Sequence, residues 1–130
     1  MSVFTKAEID YLDEQRLGRL ATVGPDGVPH VVPIAFRYNP DEDTIDIGGR
    51  RMGATKKFRD VARTGLAAIV VDDVRPPWRP RMIEVRGQAE ALGEGGSTVM
   101  EGFSPELIRI RPRRIISWGL DAESGGARSV

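Results

Sequence analysis

Residues 18–38 read GRLATVGPDGVPHVVPIAFRY, and this stretch carries the clearest structural signal in the 130-residue chain. Two apolar runs flank a GPDG turn, in which proline presets φ and the last glycine accepts a positive φ. Because β-branched and aromatic residues favour strands, the stretch predicts a β-hairpin with strands at 19–23 and 28–38. Two prolines in the second strand each remove a backbone donor, so part of that strand must lie at an edge or a bulge.

The pattern on the C-terminal side of this hairpin is also mainly β. Residues 44–48 alternate in polarity after a short turn, which predicts a third antiparallel strand. Three more strands are expected at 66–71, 81–92 and 107–118, and the first of these is apolar throughout, so we expect it to be buried on both faces. Six strands joined by short turns close most easily as a small barrel, because closure removes the sheet edges.

Two short helices complete the predicted elements. Thr5 and Glu8 form a capping box at the start of the first helix, which ends near Gly18. The second helix is predicted over Met52 to Arg63, with Gly65 just beyond its end.

The remaining segments are predicted to be connections. Loops are expected at 72–80, which holds three prolines, and in the glycine-rich stretch 93–102. Residues 1–121 are expected to form a single domain, and residues 122–130 a flexible C-terminal tail.

Composition excludes several classes of protein. The 19 Lys and Arg residues balance the 19 Asp and Glu residues, which argues against a globally basic nucleic-acid binder. With no cysteine and one histidine, neither thiolate chemistry nor a metal site is expected. No apolar run approaches the ~18–20 residues of a membrane span, and no signal peptide is evident, so a cytoplasmic protein is expected. With few catalytic residue types, any chemistry is expected to come from a bound cofactor.

The segment GGRRMGATKKF, residues 48–58, joins the third strand to the second helix and is the main candidate site. Cations at a helix N-terminus oppose its partial positive charge, and a bound anion would resolve that conflict. Free backbone N–H groups, a hydroxyl and basic side chains together suit a phosphate, and glycines allow its close approach. The alternative is a solvated basic face with Asp60 as a local partner. The candidate residues are Gly49, Arg50, Arg51, Thr55, Lys56 and Lys57.

Three further residues have both a functional and a structural interpretation. His30 is a candidate general acid or base, or an ordinary strand residue. Pro33 presents a flat apolar surface suited to a heteroaromatic ring, or marks an edge strand. Trp78, in a loop stiffened by prolines, would cover a ligand, pack at a subunit interface or cap one end of the barrel.

The densest basic run, RIRPRR at 109–114, has four interpretations. It could contact nucleic acid, a polyanionic cofactor tail, acidic groups of a second subunit, or solvent. The aromatic content of 6% leaves few platforms for base stacking, which disfavours nucleic acid. No motif pairs a nucleophile with a base or gives a Walker-type phosphate loop.

Several stretches, taken in order, resemble the pyridoxamine 5′-phosphate oxidase-like superfamily of flavin-binding proteins. They are residues 18–33, ATKKFRDV at 54–61, AAIVVD at 67–72, EVRGQAE at 84–90 and the ending 108–118. Within that superfamily the chain most resembles the actinobacterial F420-dependent oxidoreductases. The resemblance covers nearly the whole chain and implies a six-stranded antiparallel split β-barrel of the FMN-binding type. It also implies a homodimer with two cofactors in grooves at the dimer interface.

The resemblance also implies where the cofactor lies. The flavin or deazaflavin ring would rest along Val31, Val32 and Pro33 of the second strand. Arg51 and Lys56 would hold the phosphate, with Arg50, Thr55 and Lys57 beside them, and Trp78 would face the site.

The function implied is hydride transfer between reduced coenzyme F420 and a small unsaturated organic substrate. FMN is the alternative cofactor, and a flavin-, F420- or haem-binding protein without turnover is the alternative function. The basic and histidine pair that true pyridoxamine phosphate oxidases use near their C-terminus is not evident, so vitamin B6 oxidation is not expected. Arg59 also departs from the family pattern, because many relatives have asparagine there.

Overall fold

The computed structural model describes residues 1–121 and 126–130, and this part of the chain is mainly β. It contains two α-helices, seven strands and two single 3₁₀ turns at Met52–Ala54 and Gly96–Thr98. The helices and strands are α1 (Lys6–Glu14), β1 (Leu17–Val23), β2 (Pro29–Asn39), β3 (Thr44–Gly48), α2 (Lys56–Thr64), β4 (Leu66–Arg75), β5 (Arg79–Leu92), β6 (Leu107–Trp118) and β7 (Gly126–Ser129).

Six of the strands close into an antiparallel barrel, as predicted. The strand order is β3-β2-β1-β4-β5-β6, and pairing of β3 with β6 closes the ring. β7 lies outside the ring on the far edge of β6. The predicted hairpin turn is present, with the Gly27 amide donating to the Gly24 carbonyl and φ of Gly27 at 80°.

Alternate residues of each barrel strand form the core. The most deeply buried are Leu20, Ile45, Ile47, Ile69, Val71, Ile83, Val85, Ile108, Ile110 and Ile115. The prediction that residues 66–71 are buried on both faces is wrong for the single chain. β4 alternates instead, and its outward residue Leu66 is 60% exposed. Unbroken apolar sequence therefore marks a strand with one face in the barrel and a second apolar face outside it.

Both predicted helices are present, but α1 ends at Glu14 and not near Gly18, because β1 begins at Leu17. The capping box of α1 is confirmed: the Glu8 amide donates to Thr5 Oγ1, and the Thr5 amide donates to Glu8 Oε1. α2 begins four residues later than predicted, because Thr55 caps it and the preceding turn is 3₁₀. Gly65 ends α2 in the left-handed conformation, with φ of 68°.

The region predicted as a loop at 72–80 is mostly strand. β4 continues to Arg75 and β5 resumes at Arg79, so only a tight hairpin turn separates them. The three prolines indicated a loop, but two of them lie in the turn itself and the third lies at the start of β5. Asp73 and Arg81, which face each other across the hairpin, form an ion pair of 2.7 Å that stabilises the extension.

The C-terminal residues 126–129 pair with β6, where a flexible tail was expected; residues 122–125 lie outside the described residues. Arg128 of β7 reaches back to α1, and its guanidinium donates to both carboxylate oxygens of the buried Glu8 at 2.6 and 3.0 Å. Ser117 donates to the same carboxylate at 2.6 Å. The composition of the tail does not predict the ion pair of Arg128 with Glu8, because the two residues lie 120 positions apart.

No helix within 1–121 or 126–130 is both long and apolar enough to cross a membrane.

Candidate functional site

A cleft of about 190 Å³ lies where the first half of β2 faces the start of α2. The structure brings five of the predicted site residues to this cleft, three from α2 and its cap and two from β2. Two more residues complete it that were not among the predicted cofactor ligands. The lining residues are Thr22, His30, Val31, Val32, Thr55, Lys56 and Lys57.

The β2 side of the cleft is open because the barrel is split there. β3 pairs with β2 only over Ala35–Asn39, whereas β1 pairs with β2 from Pro29 to Ala35. Residues 29–33 therefore have one free edge, and all five are exposed. The edge strand predicted from the two prolines is confirmed, and this edge leaves backbone groups and apolar side chains available to a ligand.

Thr55 shapes the α2 side of the cleft. Its hydroxyl accepts from the Phe58 amide at 3.3 Å and donates to the Met52 carbonyl at 2.7 Å. The amides of Lys56 and Lys57 occupy the first turn of α2, where an N–H group has no acceptor within the helix. Two free backbone donors therefore lie beside two lysine side chains.

Lys56 already has a counter-charge. Its ammonium lies 3.1 Å from both carboxylate oxygens of Asp60, which also accept from Thr22 at 3.1 Å and from Arg63 at 3.3 Å. Burial raises the pKa of Asp60, but hydrogen bonds from Lys56 and Thr22 outweigh it and hold that pKa below its usual value. Asp60 thus fixes α2 to β1 and neutralises Lys56, as the local-partner alternative predicted.

Lys57 differs, because no carboxylate in the described part of the chain pairs with it. The side chain is half-buried, and burial lowers the pKa of Lys57. A partly desolvated ammonium without a counter-charge carries a free-energy cost that a bound anion would offset. Lys57 is therefore the cation of the cleft that can pair with an anion without giving up an ion pair to a carboxylate of the described residues.

The sequence analysis did not single out Thr22, and it considered His30 as an acid, as a base or as an ordinary strand residue. The two residues face each other in the β1–β2 register, so both side chains point to the same side of the hairpin. The hairpin turn at 24–27 fixes that register, and the turn was visible in the sequence. Once α2 is known to pack on β1, this register places both Thr22 and His30 at the cleft.

The other predicted ligands lie outside the cleft in the single chain. Arg50 and Arg51 are exposed just after β3, and the Gly49 carbonyl accepts from Ser104. Pro33 lies on the free edge of β2, and Trp78 is 75% exposed in the β4–β5 turn. Their roles in holding a cofactor stay predictions.

Two arginines of the basic run on β6 form ion pairs within the chain, whereas Arg113 and Arg114 contact the neutral Gln88 and Ser129. Arg109 makes two 3.0 Å hydrogen bonds to the buried Asp46, and Arg111 binds Glu90 at 2.5 Å and Glu42 at 3.1 Å. Carboxylates of the same chain therefore neutralise Arg109 and Arg111.

A second, larger groove of about 520 Å³ lies on the outer face of the barrel and shares Thr22 with the cleft. Its floor is apolar and includes Ala21, Val23 and Leu66, while Arg86 and Arg113 lie at its rim. The exposed apolar side chains continue along this outer face to Val31, which is 71% exposed. Exposed apolar side chains gathered on one face are typical of surfaces that bind another molecule.

The residues of the cleft suit a phosphorylated aromatic cofactor. An ammonium without a counter-charge and two free backbone N–H groups match a phosphoryl group. Val31 and Val32 beside them match the apolar part of such a molecule. Neither a nucleophile with a base nor a cluster of metal-ligating side chains occurs at the described residues of the cleft.

Comparison with known proteins agrees with this fold. The family model described as pyridoxamine 5′-phosphate oxidase matches residues 4–118. A 5a,11a-dehydrotetracycline/5a,11a-dehydrooxytetracycline reductase from Streptomyces rimosus subsp. rimosus is 47% identical over 122 residues, which is 92% of this chain and 86% of the relative.

Solved structures with low sequence identity have the same fold. A FAD binding protein from Mycobacterium smegmatis matches with a TM-score of 0.64 at 22% identity, covering 91% of this chain and 97% of that one. A heme binding protein from the same organism matches with a TM-score of 0.70 at 14% identity, covering 99% of this chain and 60% of that one.

Proposed function

Because the chain belongs to the pyridoxamine 5′-phosphate oxidase family, we propose that it is an oxidoreductase that uses coenzyme F420. FMN is the alternative cofactor. The observation that carries the proposal is Lys57, a half-buried cation without a counter-charge in a cleft whose opposite wall is the free edge of β2. When bound, reduced F420 would supply a hydride to a small unsaturated organic substrate.

The chain's own residues bind and orient the cofactor in this proposal. The Lys57 ammonium and the first amides of α2 hold the phosphoryl group, while Thr55 and Asp60 keep the start of α2 in place. Val31 and Val32 provide the apolar surface on which a planar ring rests. Arg50, Arg51, Pro33 and Trp78 are proposed to contact other parts of the cofactor.

The substrate class is proposed from chemistry and from the reductase relative. That relative is named a reductase of 5a,11a-dehydrotetracycline and 5a,11a-dehydrooxytetracycline, so its name indicates the reduction of a double bond. A planar, electron-poor double bond is also the kind of acceptor that a bound hydride donor can reduce without a covalent intermediate on the protein. We therefore propose conjugated carbonyl compounds as the first substrates to test.

We further propose a cytoplasmic homodimer in which the outer face of the barrel is the interface. Leu17, Val23 and Leu66 of β1 and β4 are 51%, 40% and 60% exposed on that face. A second copy would bury them, and it would cover the groove that adjoins the cleft. The cofactor would then lie beside both subunits.

Parallel titration of the protein with F420 and with FMN, followed by ring fluorescence, tests this proposal. Tight F420 binding with weak FMN binding is the expected result, and the reverse order would move the protein to the FMN alternative. Binding without turnover of quinones and conjugated enones would favour a cofactor carrier. If neither cofactor binds, the basic start of α2 is a solvated surface and the proposal is wrong.

A further inference from the structure

His30, the sole histidine of the chain, lies at the same cleft as the two lysines. It is exposed on the free half of β2, opposite Thr22 in the β1–β2 register. The proposed hydride transfer does not use it, and no hydrogen bond from its ring is present among the described residues. Both ring nitrogens are therefore available to a ligand.

The space beside Gly24 shows how closely the polar groups approach one another. A Cβ built on Gly24 would lie 2.9 Å from Lys56 Nζ, 3.0 Å from Asp26 Oδ1 and 3.3 Å from His30 Nε2. Three side chains from β2, α2 and the hairpin turn therefore converge on one point. A side chain at position 24 would enter the space in which these three polar groups meet.

The charges around His30 come from two elements. Lys56 and Lys57 face the cleft from α2, and Asp26 faces it from the turn. Asp26 also accepts from the Val28 amide at 3.0 Å, and Asp60 behind Lys56 is occupied by its own partners. The groups nearest the His30 ring are therefore the ammonium of Lys56 and the carboxylate of Asp26, and Lys57 lines the same cleft.

We propose that His30 is a third ligand of the phosphoryl group, and that it makes cofactor binding proton-linked. This inference rests on the proposed function, since it assigns one more contact to the same cofactor. A protonated imidazole donates a charge-assisted hydrogen bond to a phosphoryl oxygen, so a bound phosphoryl anion stabilises the protonated form of the ring. Binding then takes up a proton and weakens as pH rises through the range where histidine loses its charge.

The test compares the wild type with His30→Gln, which keeps a hydrogen-bond donor of similar size but carries no charge. Dissociation constants for F420 and for FMN are measured from pH 5.5 to 8.5. Taking the ratio of the two proteins at each pH cancels the ionisation of the ligand itself. Calorimetry in two buffers of different ionisation enthalpy, at pH 7, counts the protons taken up on binding.

His30→Gln is expected to weaken binding about five- to tenfold at pH 5.5 and less than about twofold at pH 8.5. Proton uptake should fall in the variant, with an unchanged melting temperature. A variant-to-wild-type ratio that is the same at every pH, whatever its size, overturns the role of His30 while the proposed function stands. If the wild type binds neither cofactor at any pH, the proposed function itself fails.

Discussion

Two groups of basic residues in this protein have similar sequence density and opposite environments. On β6, Arg109 and Arg111 form ion pairs with Asp46, Glu42 and Glu90, so the same chain supplies their counter-charges. At the start of α2, Lys57 has no carboxylate partner within the described residues, although Lys56 beside it is paired with Asp60.

The difference shows that the density of basic residues does not locate an anion site. A paired guanidinium contributes to stability, and removing its partner leaves a buried charge uncompensated. An unpaired and partly desolvated ammonium contributes to binding instead, because a ligand anion supplies the missing counter-charge. The two regions should therefore respond to substitution in different assays.

The largest effect is expected from Asp46→Ala in the paired region. Asp46 is fully buried and accepts from Arg109, Asn39 and Thr44, so its loss leaves several donors without a partner. The free energy of unfolding should fall by about 3–4 kcal/mol, measured by urea denaturation. The exposed Lys6→Ala is the matched control and should leave the urea midpoint unchanged. A loss of less than about 1 kcal/mol for Asp46→Ala would show that the hydrogen bonds to Asp46 contribute little to the free energy of unfolding.

Arg128→Ala tests the second paired cation through its pH dependence. Burial raises the pKa of Glu8, but hydrogen bonds from Arg128, Ser117 and Thr5 outweigh it and hold that pKa below its usual value. The stabilisation is therefore present above the ordinary glutamate pKa and is lost as pH falls through the lowered one. The variant should lose about 2 kcal/mol at pH 7, since Arg128 is one-third exposed, and less in acid. A stability difference that does not change with pH would contradict this account.

Lys57→Met should separate binding from stability. Methionine keeps the apolar stem and removes the ammonium, so F420 or FMN affinity should fall by about tenfold or more. The urea midpoint should stay unchanged or rise, because a desolvated charge with no partner has been removed. Fluorescence titration and denaturation of the same preparation give both values. Unchanged affinity would remove Lys57 from the site.

Lys56→Met sharpens the comparison within the cleft and has the smallest expected effect on affinity. Asp60 neutralises Lys56 in the free protein, so the cofactor should lose no more than about threefold in affinity. Equal losses for Lys56→Met and Lys57→Met would show that the ion pair opens when the anion binds, and that the two lysines share the site.

Local signals in the sequence predicted most of the fold. The GPDG turn fixed the first hairpin, the Thr5 and Glu8 capping box placed α1, and Gly65 marked the end of α2. Each of these signals acts over four residues or fewer, so the residue types alone determine the geometry.

Contacts between distant residues could not be predicted in the same way. Nothing in the local sequence predicts the ion pair of Arg128 with Glu8. The prolines after β4 indicated a loop at residues where that strand continues. Three residues of the basic segment line the cleft, but residue type alone does not distinguish Lys56 from Lys57. Which lysine is free depends on the helical spacing to Asp60 and on the packing of α2 against Thr22.

A crystal structure of the protein grown with F420, or with FMN if that binds more tightly, tests the central claim most directly. We expect phosphoryl density in the cleft between β2 and α2, with an oxygen within about 3 Å of Lys57 Nζ. The ring should lie along the free edge of β2, near Val31 and Val32. Phosphoryl density against Arg109 and Arg111 of β6, with the cleft holding only water, would contradict the account.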